Sequence, residues 1–456
     1  MTLHNRILKA HPATLVLASF LLAITFGTVL LMLPIATYNR ATSFINALFT
    51  ATSAVCVTGL IVVDTGSYFT GFGQSVILIL IQLGGLGVMT FSVALFRLIG
   101  RNISFRQRLA MQDLFSHTPR EDIFNLLKST ILFTLSAEII GALLLSFHWS
   151  RELSFSAALY TAVFHSISAF CNAGFSLFSD SMMQYSDDLL LNGTMCALIV
   201  VGGIGFPVLY DLQSWLRTRR RQRGRLSVQT KTVLVTTFLL IAGGALMFAF
   251  FEYDSMPPAA SFSHRVLVSM FQSITSRTAG FNTVDIASLS EAALALIIFL
   301  MFFGASPGSC GGGVKTTTLA LIAAFTVSRI RRRLRVNMFK KSIPSEAVNR
   351  SISLLLVSIG VIGLVLFMLL VGAPSGASKG PSQGGFFLAY LFETVSAFGT
   401  VGLSMGVTAD LSVWSKSWII LMMIVGRVGV LTFSYIIVGT GVTNGIEYSE
   451  ESIMIG

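Results

Sequence analysis

Charged side chains are scarce in this chain of 456 residues. Asp, Glu, Lys and Arg together make up 11% of it, whereas hydrophobic residues make up 54% and Phe alone occurs 37 times. A soluble domain carries about 25% charged residues, so this chain lacks the polar surface that contact with water requires. The shortage excludes a soluble enzyme, a disordered tail and a disulfide-stapled secreted module, and it indicates an integral membrane protein.

Cysteine is also rare, and the four residues that occur are isolated from one another. They are Cys56, Cys171, Cys196 and Cys310, with no CxxC pair and no accompanying histidine cluster. This spacing argues against a transition-metal site and against a redox pair, and we expect four reduced thiols. No nucleophile–base pair stands out, so we predict that the chain is not an enzyme and contains no cofactor of its own.

Long apolar runs take the place of the missing polar surface. A run of about 20 apolar residues is long enough to cross the hydrocarbon core of a bilayer as a helix. The first run is too long for the apolar region of a signal peptide, and no small-residue cleavage site follows it. The predicted spans are residues 13–35, 73–98, 124–147, 189–213, 231–253, 288–327 with an interruption, 349–372 and 414–440.

The basic residues behind the net charge of +11 lie mainly at the N-terminus and in the connections after spans two, four and six. By the positive-inside rule these segments and both termini are cytoplasmic. The opposite connections carry aspartates and few basic residues, so we expect them to face outward. The arginine runs directly follow membrane spans, which favours topology and contact with anionic lipids over nucleic-acid binding. Docking of a cytosolic partner is an added possibility.

A motif recurs four times in the outward connections that follow spans one, three, five and seven. In each copy a short apolar helix-like stretch precedes a glycine-bearing stretch. An internal repeat of this kind indicates a fold built from repeated structural units. We call the glycine-bearing parts the filter stretches. They are Cys56, Val57, Thr58 and Gly59; Cys171, Asn172, Ala173 and Gly174; Arg277, Thr278, Ala279 and Gly280; and Gly399, Thr400, Val401 and Gly402.

A second glycine cluster follows each filter stretch at a nearly constant distance, within the next span. The clusters begin at Gly84, Gly202, Gly304 and Gly426. Such glycines either serve close helix packing or belong to the pore. The predicted fold is therefore an all-α integral membrane protein with four pseudo-repeats of helix, pore half-helix, filter and helix around one potassium-channel-like pore. The predicted repeats are residues 1–100, 101–225, 226–340 with a broken inner helix, and 341–456 with a C-terminal tail.

The filter stretches predict an ion-binding site. Non-helical backbone at membrane depth is tolerated where it is buried in protein or lines a water-filled cavity, and carbonyl rings can replace the hydration shell of a cation. Glycine permits the φ angles that such a carbonyl array requires. The half-helices end at the filters, so their negative ends favour a cation. We therefore expect a dehydrated cation to bind at the filter residues.

Two further features lie at membrane depth and predict a gate. The interruption of the sixth span resembles a phosphate-binding G-x-x-x-x-G-K-[ST] loop, but Val314 stands where lysine is required and membrane helix flanks it. We interpret it as a gating loop below the filter. Intramembrane Arg427 is costly and suggests an electrostatic barrier or a structural salt bridge, with Glu138 as a candidate partner. The predicted gate residues are Gly304, Ser306, Gly308, Gly311, Gly312, Gly313, Lys315 and Arg427.

These motifs resemble the Trk/Ktr/HKT superfamily of potassium transporters over essentially the whole chain. Within it, the closest similarity is to the membrane subunit of the bacterial Ktr potassium uptake system. The resemblance implies inward K⁺ conduction across the plasma membrane, often with a Na⁺ requirement, by a homodimer with one pore per subunit. It also implies a cytosolic ring of nucleotide-binding (RCK-type) regulatory subunits. Gly59, Gly174, Gly280 and Gly402 are then the filter glycines, and the loop and Arg427 are the gating elements.

Two alternatives remain beside a K⁺-selective transporter. One is a Na⁺-conducting member of the same superfamily, although relatives selective for Na⁺ often carry serine in the first filter and this chain has glycine in all four. The other is a proton-coupled secondary transporter that uses Glu138 as a relay. Ion fluxes and their pH dependence separate these functions.

Overall fold

The structure is a computed structural model of the whole chain, and it describes residues 12–38, 42–86, 123–218, 226–253, 261–373 and 385–430. Helices dominate because a chain in lipid must satisfy its backbone hydrogen bonds internally. Fifteen α-helices lie in the described residues, together with three short 3-10 helices (Pro34–Ala36, Met183–Tyr185 and Ile286–Ser288) and one small hairpin.

The first two repeats share the order outer helix, pore helix and inner helix, and each has one additional helix at a different place in that order. Repeat 1 contains α1 (Pro12–Leu31), α2 (Phe44–Cys56), α3 (Thr65–Tyr68) and α4 (Gly71–Gly85). Repeat 2 contains α5 (Ile123–Trp149), α6 (Phe155–Phe170), α7 (Leu189–Ile204) and α8 (Phe206–Thr218). In each, an outer helix is followed by a short pore helix (α2 or α6) and then by an inner helix (α4 or α7).

The last two repeats follow the same plan with local differences. Repeat 3 contains α9 (Val228–Phe251), α10 (Phe262–Thr275), α11 (Glu291–Phe302) and α12 (Thr316–Ile330). An antiparallel hairpin then links it to repeat 4, with strands β1 (Asn337–Met338) and β2 (Lys341–Ser342). Repeat 4 contains α13 (Ser345–Val371), α14 (Gly385–Gly399) and α15 (Val413–Val428). Its pore helix is α14 and its inner helix is α15.

Packing between the repeats is cyclic. Each pore helix contacts the inner helix of its own repeat, except in repeat 3, where the described contacts of the pore helix α10 are with α7 and the outer helix α9. Each inner helix also contacts the pore helix of the next repeat: α4 packs on α6, α7 on α10, α11 on α14, and α15 on α2. The last contact closes the circle. The predicted four-repeat arrangement around one axis is therefore confirmed, within a single chain.

Membrane-crossing helices are recognisable in the described residues by length and apolar character. Three qualify as they stand, Ser129–Trp149, Val228–Phe251 and Ser345–Val371, and Leu189–Ile204 with Phe206–Leu216 qualify as a pair bent by 96°. Large apolar side chains on the outer helices are exposed, for example Phe238 and Phe250. Their exposure is expected for a face that lies against lipid rather than water.

The inner helices differ most from the predicted spans. The span predicted over 189–213 is bent, because Gly205 adopts a φ of +99° and the chain turns sharply there. The inner helix of repeat 4 ends similarly, before Gly429 at a φ of +93°. The predicted interruption in the sixth span is present between α11 and α12. Residues 87–98 and 431–440, the ends of two predicted spans, lie outside the described residues.

The domain boundaries stay predictions. The boundary at 100/101 and residue 225 lie outside the described residues, and the boundary at 340/341 falls between the two strands of the hairpin. The arginine-rich segment between α12 and α13 is described, and Arg331, Arg332 and Arg333 are exposed there. The other predicted cytoplasmic runs lie largely outside the described residues.

Candidate functional site

The four filter glycines lie next to one another around one axis. A Cβ built on Gly59 would be 3.0 Å from the Cα of Gly174, and one on Gly174 would be 3.0 Å from the Cα of Gly280. A Cβ on Gly280 would be 3.2 Å from the Cα of Gly402, and one on Gly402 would be 2.9 Å from the Cα of Gly59. The ring therefore closes in chain order, and it leaves no room for a side chain at any of the four positions.

The backbone of every filter stretch has the same unusual conformation. The glycine has a positive φ, between +70° and +93°, and so does the residue two positions before it. The residue between them keeps a negative φ. An alternation of this kind turns successive peptide groups so that their like atoms face one side. Only the glycine is free of strain there; the residues with positive φ and a side chain are Val57, Asn172, Thr278 and Thr400.

The backbone amides of the filters are bonded to their own pore helices. In repeat 1, Thr58 N donates to Ser53 O at 2.8 Å and Gly59 N donates to Ser53 Oγ at 3.0 Å. In repeat 4, Ser396 receives the matching bonds from Val401 and Gly402. Because the amides point back to the pore helix, the carbonyls are directed away from it. The carbonyls before the glycines, those of Thr58, Ala173, Ala279 and Val401, each lie against the glycine of an adjacent repeat.

The sequence analysis missed the hydroxyl residues that hold this backbone. In repeats 2 and 3 the hydroxyls donate instead, from Ser168 Oγ to Phe175 O at 2.8 Å and from Thr275 Oγ1 to Phe281 O at 2.6 Å. The signal was a Ser or Thr six residues before the filter glycine in three repeats and five before it in the third. The third filter is one residue shorter, which hides the pattern from a search with fixed spacing.

The glycine clusters of the inner helices make room for the filters. A Cβ on Gly84, Gly202 or Gly426 would collide with a carbonyl near the end of the pore helix of the same repeat. In the first three repeats the side chain two positions before the filter glycine points into the cluster, for example Thr278 towards Gly304. Close packing, one of the two interpretations of these glycines, is therefore their role where the pore helix meets the inner helix.

Side chains at the start of the filter stretches point away from the axis. Arg277 is buried, and its Nη2 donates to Thr237 Oγ1 of α9 at 3.4 Å. The Cys171 thiol lies against α4, beside Gly85 and 3.9 Å from Gln82 Oε1. Only backbone atoms of these residues are therefore available to an ion on the axis. Cys56, the equivalent residue of repeat 1, is buried at the end of α2, and Gly399 ends α14.

The loop between α11 and α12 lies directly beneath the filters and contacts all four repeats. Gly312 N donates to Thr400 Oγ1 at 2.8 Å, and Gly311 lies against Thr278. Ser306 N donates to Gly203 O at 3.1 Å, and Cys310 Sγ donates to Gly85 O at 3.2 Å. Gly308 and Gly313 take positive φ angles of +71° and +67°. We call residues 303–315 the subfilter loop.

Two cationic side chains fix the subfilter loop. The guanidinium of Arg427 donates to two carbonyls, those of Cys310 in the loop and Gly84 in the inner helix of repeat 1. Lys315 Nζ donates to Gly311 O at 2.7 Å and to Gly312 O at 3.3 Å. Both side chains therefore bond to backbone carbonyls of the same loop, under the filters.

Glu138 is not the partner of Arg427. Its carboxylate accepts from Gln82 Nε2 at 3.4 Å and lies 3.9 Å from the Cys171 thiol. Elsewhere, His148 Nδ1 lies 3.2 Å from Asp188 Oδ2 and His264 contacts Asp187, both on the predicted outward side. Glu138, one candidate for a salt bridge with Arg427, therefore does not form it; the carbonyls of Cys310 and Gly84 contact the guanidinium instead. The described residues contain no cluster of His, Cys, Asp or Glu that could hold a metal ion.

A ring of four half-helix repeats around one axis, within a bundle of apolar helices, defines a pore-type membrane transport protein. The comparisons agree. Residues 4–438 match the TrkH family, described as "Cation transport protein". The chain belongs to this family, which confirms the family resemblance predicted from the filter and gate motifs.

Sequence similarity to known proteins extends over nearly the whole chain. The chain is 38% identical to the Ktr system potassium uptake protein B of Bacillus subtilis, over 98% of this chain and 97% of that protein. It is 35% identical to the potassium/sodium uptake protein NtpJ of Enterococcus hirae, over 98% of both. The crystal structure of the potassium transporter TrkH from Vibrio parahaemolyticus superposes with a TM-score of 0.70, at 19% identity, over 93% of this chain and 85% of that one. That likeness supports the fold.

Proposed function

We propose that this chain takes up K⁺ across the cell membrane through the filter stretches. The observation that carries the proposal is the closed ring of Gly59, Gly174, Gly280 and Gly402, with the amides turned to the pore helices and the carbonyls turned away. Such carbonyls replace the water around a dehydrated alkali ion. The negative ends of four pore helices add a favourable field for a cation. The names of the relatives as potassium uptake proteins support the same ion.

The subfilter loop and Arg427 are proposed as the gate. In this conformation the loop crosses beneath the filters and Arg427 ties it to the inner helix of repeat 1. Opening requires the loop to leave the axis, which breaks the bonds from Arg427 and the bond between Gly312 N and Thr400 Oγ1. The positive charges of Arg427 and Lys315 oppose cation passage until the loop moves.

The proposal extends to regulation and assembly. We propose a homodimer in the plasma membrane, with both termini cytoplasmic, controlled by a cytosolic nucleotide-binding ring of the RCK type. The name of the relative in Bacillus subtilis, a protein of a "Ktr system", supports a separate regulatory subunit. The exposed arginines after α12 supply a basic surface for such a subunit or for anionic lipid headgroups. A Na⁺ requirement is part of the proposal, in keeping with the relative named for potassium and sodium.

A Na⁺-conducting transporter is the second candidate, favoured by the same potassium/sodium relative. The decisive test is growth rescue at micromolar K⁺ of a strain without its own K⁺ uptake systems, followed by Rb⁺ and Na⁺ uptake in proteoliposomes. Rescue together with Rb⁺ uptake that K⁺ competes for and Na⁺ does not supports the proposal. Na⁺ uptake without competition by K⁺ would favour the second candidate. Uptake driven by a pH gradient and lost in Glu138→Gln would favour the proton-coupled alternative.

A further inference from the structure

A second polar position on the pore helices faces the chain as it leaves the filter. It lies three residues before the hydroxyl position described above, so both fall on one face of the helix. The residues there are Thr50, His165, Gln272 and Glu393. All four are buried, at 0–2% exposure. We call this the clasp position.

Glu393 makes the most extensive contacts of the set. Its Oε1 accepts from Ser404 Oγ at 2.5 Å and from Met405 N at 3.2 Å, and its Oε2 accepts from Thr408 Oγ1 at 2.7 Å. Ser404 Oγ in turn accepts from Gly406 N at 2.9 Å. One carboxylate thus holds the whole turn that follows the fourth filter.

Two other repeats have a weaker form of the same contact. His165 Nδ1 lies 2.8 Å from the Thr161 carbonyl, which can only accept, so Nδ1 carries the proton and Nε2 is the acceptor. His165 Nε2 then accepts from Ser176 Oγ at 3.1 Å and from Leu177 N at 3.3 Å. Gln272 Nε2 donates to Thr283 Oγ1 at 3.2 Å. The contacted residues lie two or three positions after the filter glycine in each case.

Repeat 1 departs from the pattern. Thr50 is too short to reach the following segment, and its hydroxyl is buried without a hydrogen-bond partner among the described residues. The fourth clasp therefore acts at a sensitive place, because Gly402 of repeat 4 is the neighbour of Gly59 where the ring closes. The geometry of that junction depends on a clasp from one side only.

We propose that Glu393 is a positioning residue for ion selectivity, which holds the fourth filter in register with the first through hydrogen bonds to Ser404, Met405 and Thr408. The inference rests on the proposed function of the filter. A buried carboxylate is costly unless its oxygens are bonded, and here it is bonded on both sides. Its role is to fix backbone positions at the outer end of the filter, without contact with the ion.

Glutamine distinguishes hydrogen bonding from charge at this position. The amide oxygen of Glu393→Gln can accept from Ser404 and Met405, and the amide nitrogen can donate to the Thr408 hydroxyl, which is able to accept. Alanine loses every bond and leaves the Met405 amide buried without a partner. A positioning role therefore predicts rescue by glutamine and loss with alanine. Glu291, exposed at the start of α11, provides the matched control Glu291→Ala.

The test uses the full chain, purified and reconstituted in proteoliposomes, with Rb⁺ uptake competed by K⁺ and by Na⁺. We expect Glu393→Ala to lower the K⁺-over-Na⁺ preference about tenfold, equivalent to about 1.4 kcal/mol. We expect Glu393→Gln to stay within about threefold of the parent chain, and Glu291→Ala to match it. A preference kept in Glu393→Ala overturns the inference, and so does a loss in Glu393→Gln equal to that in Glu393→Ala, which would indicate charge instead of position.

Two further arms keep the result interpretable. If Glu393→Ala fails to elute as a folded species, Thr408→Val removes one donor while retaining the shape of the side chain. We expect it to lower the K⁺ preference about threefold, and an unchanged preference contradicts the inference. If the unaltered chain itself shows no K⁺ preference, the proposed function is wrong. If both the unaltered chain and Glu393→Ala prefer K⁺, the inference about Glu393 is wrong and the proposed function stands.

Discussion

Replacing Gly402 with serine should weaken the discrimination of K⁺ over Na⁺. Gly402 has a φ of +93°, and a Cβ there would lie 2.9 Å from Gly59 Cα and would collide with the Thr58 carbonyl. That carbonyl belongs to the proposed ion-binding array. The substitution therefore forces a shift of backbone at the closure of the ring, and the ion loses matched ligands.

Gly406 supplies a control with the same backbone strain. Its φ is +85°, yet a Cβ there would meet open space within 4 Å. The positive φ costs a residue with a side chain roughly 1–2 kcal/mol, and Gly406→Ser carries that cost alone. We expect both variants to lose a similar amount of stability from strain. Only Gly402→Ser should also lose selectivity, by about tenfold, which corresponds to about 1.4 kcal/mol of differential ion binding.

The assay measures Rb⁺ uptake in proteoliposomes at increasing K⁺ or Na⁺, together with the thermal stabilisation of detergent-purified protein by each ion. The expected pattern is a smaller K⁺ preference and smaller K⁺ stabilisation in Gly402→Ser, with both retained in Gly406→Ser. Equal selectivity in the two variants and the parent would refute the assignment of Gly402 to an ion-binding ring. Equal losses of selectivity in Gly402→Ser and Gly406→Ser would show that backbone strain, and not the geometry of the ring, sets selectivity.

Three other predictions concern the gate and its surroundings. Arg427→Ala should raise basal Rb⁺ flux about tenfold, because two hydrogen bonds from a charged group are lost. Arg427→Lys should also raise the flux, since one ammonium group cannot bridge both carbonyls. Unchanged flux in Arg427→Lys would indicate a purely electrostatic barrier. Deleting Gly311–Gly313 removes the bond between Gly312 N and Thr400 Oγ1 and should raise basal flux in the same assay, so unchanged flux would argue against a gating loop. Glu138→Gln should leave K⁺ uptake within about threefold of the parent chain at pH 6 and at pH 8, since the side-chain contacts of Glu138 are long. Uptake that a pH gradient drives in the parent chain and that the variant loses would contradict this prediction.

The repeat architecture was readable from the sequence because its signal is local. Each filter glycine follows its own short apolar helix, and this order can be recognised within a single repeat. The positions of Gly59, Gly174, Gly280 and Gly402 were therefore predictable, and so was the interruption before Thr316. At a position that requires a positive φ and packs against the backbone of a neighbouring repeat, glycine is the only residue without strain.

The contacts across repeats were not predictable in the same way. The two carbonyls that hold Arg427 come from positions 310 and 84, and backbone acceptors leave no mark on the sequence. For this reason Glu138, the candidate partner that the sequence offered, is not the partner of Arg427. The turn at Gly205 was also missed, because the residues on both sides are apolar enough for one continuous span. The close approach of Gly205 to Pro307, in another repeat, leaves no mark on the sequence.

The clasp position lies between these extremes. Its residues share polarity but no chemical type, and the third repeat is one residue shorter, so an alignment by the glycine alone displaces Gln272. Only the bonds to the segment after each filter show that His165, Gln272 and Glu393 occupy one position. The clasp position is therefore identified by its recurring hydrogen bonds and not by residue type.

The central proposal is that four carbonyl-bearing bends surround a bare alkali ion. Its most direct test is a structure of the chain determined in Rb⁺, with anomalous scattering recorded at the Rb⁺ edge. The account predicts a peak on the axis, within coordinating distance of the carbonyls of Thr58, Ala173, Ala279 and Val401, that disappears when Na⁺ replaces Rb⁺. Anomalous density confined to other parts of the molecule, with an empty ring at saturating Rb⁺, would contradict it.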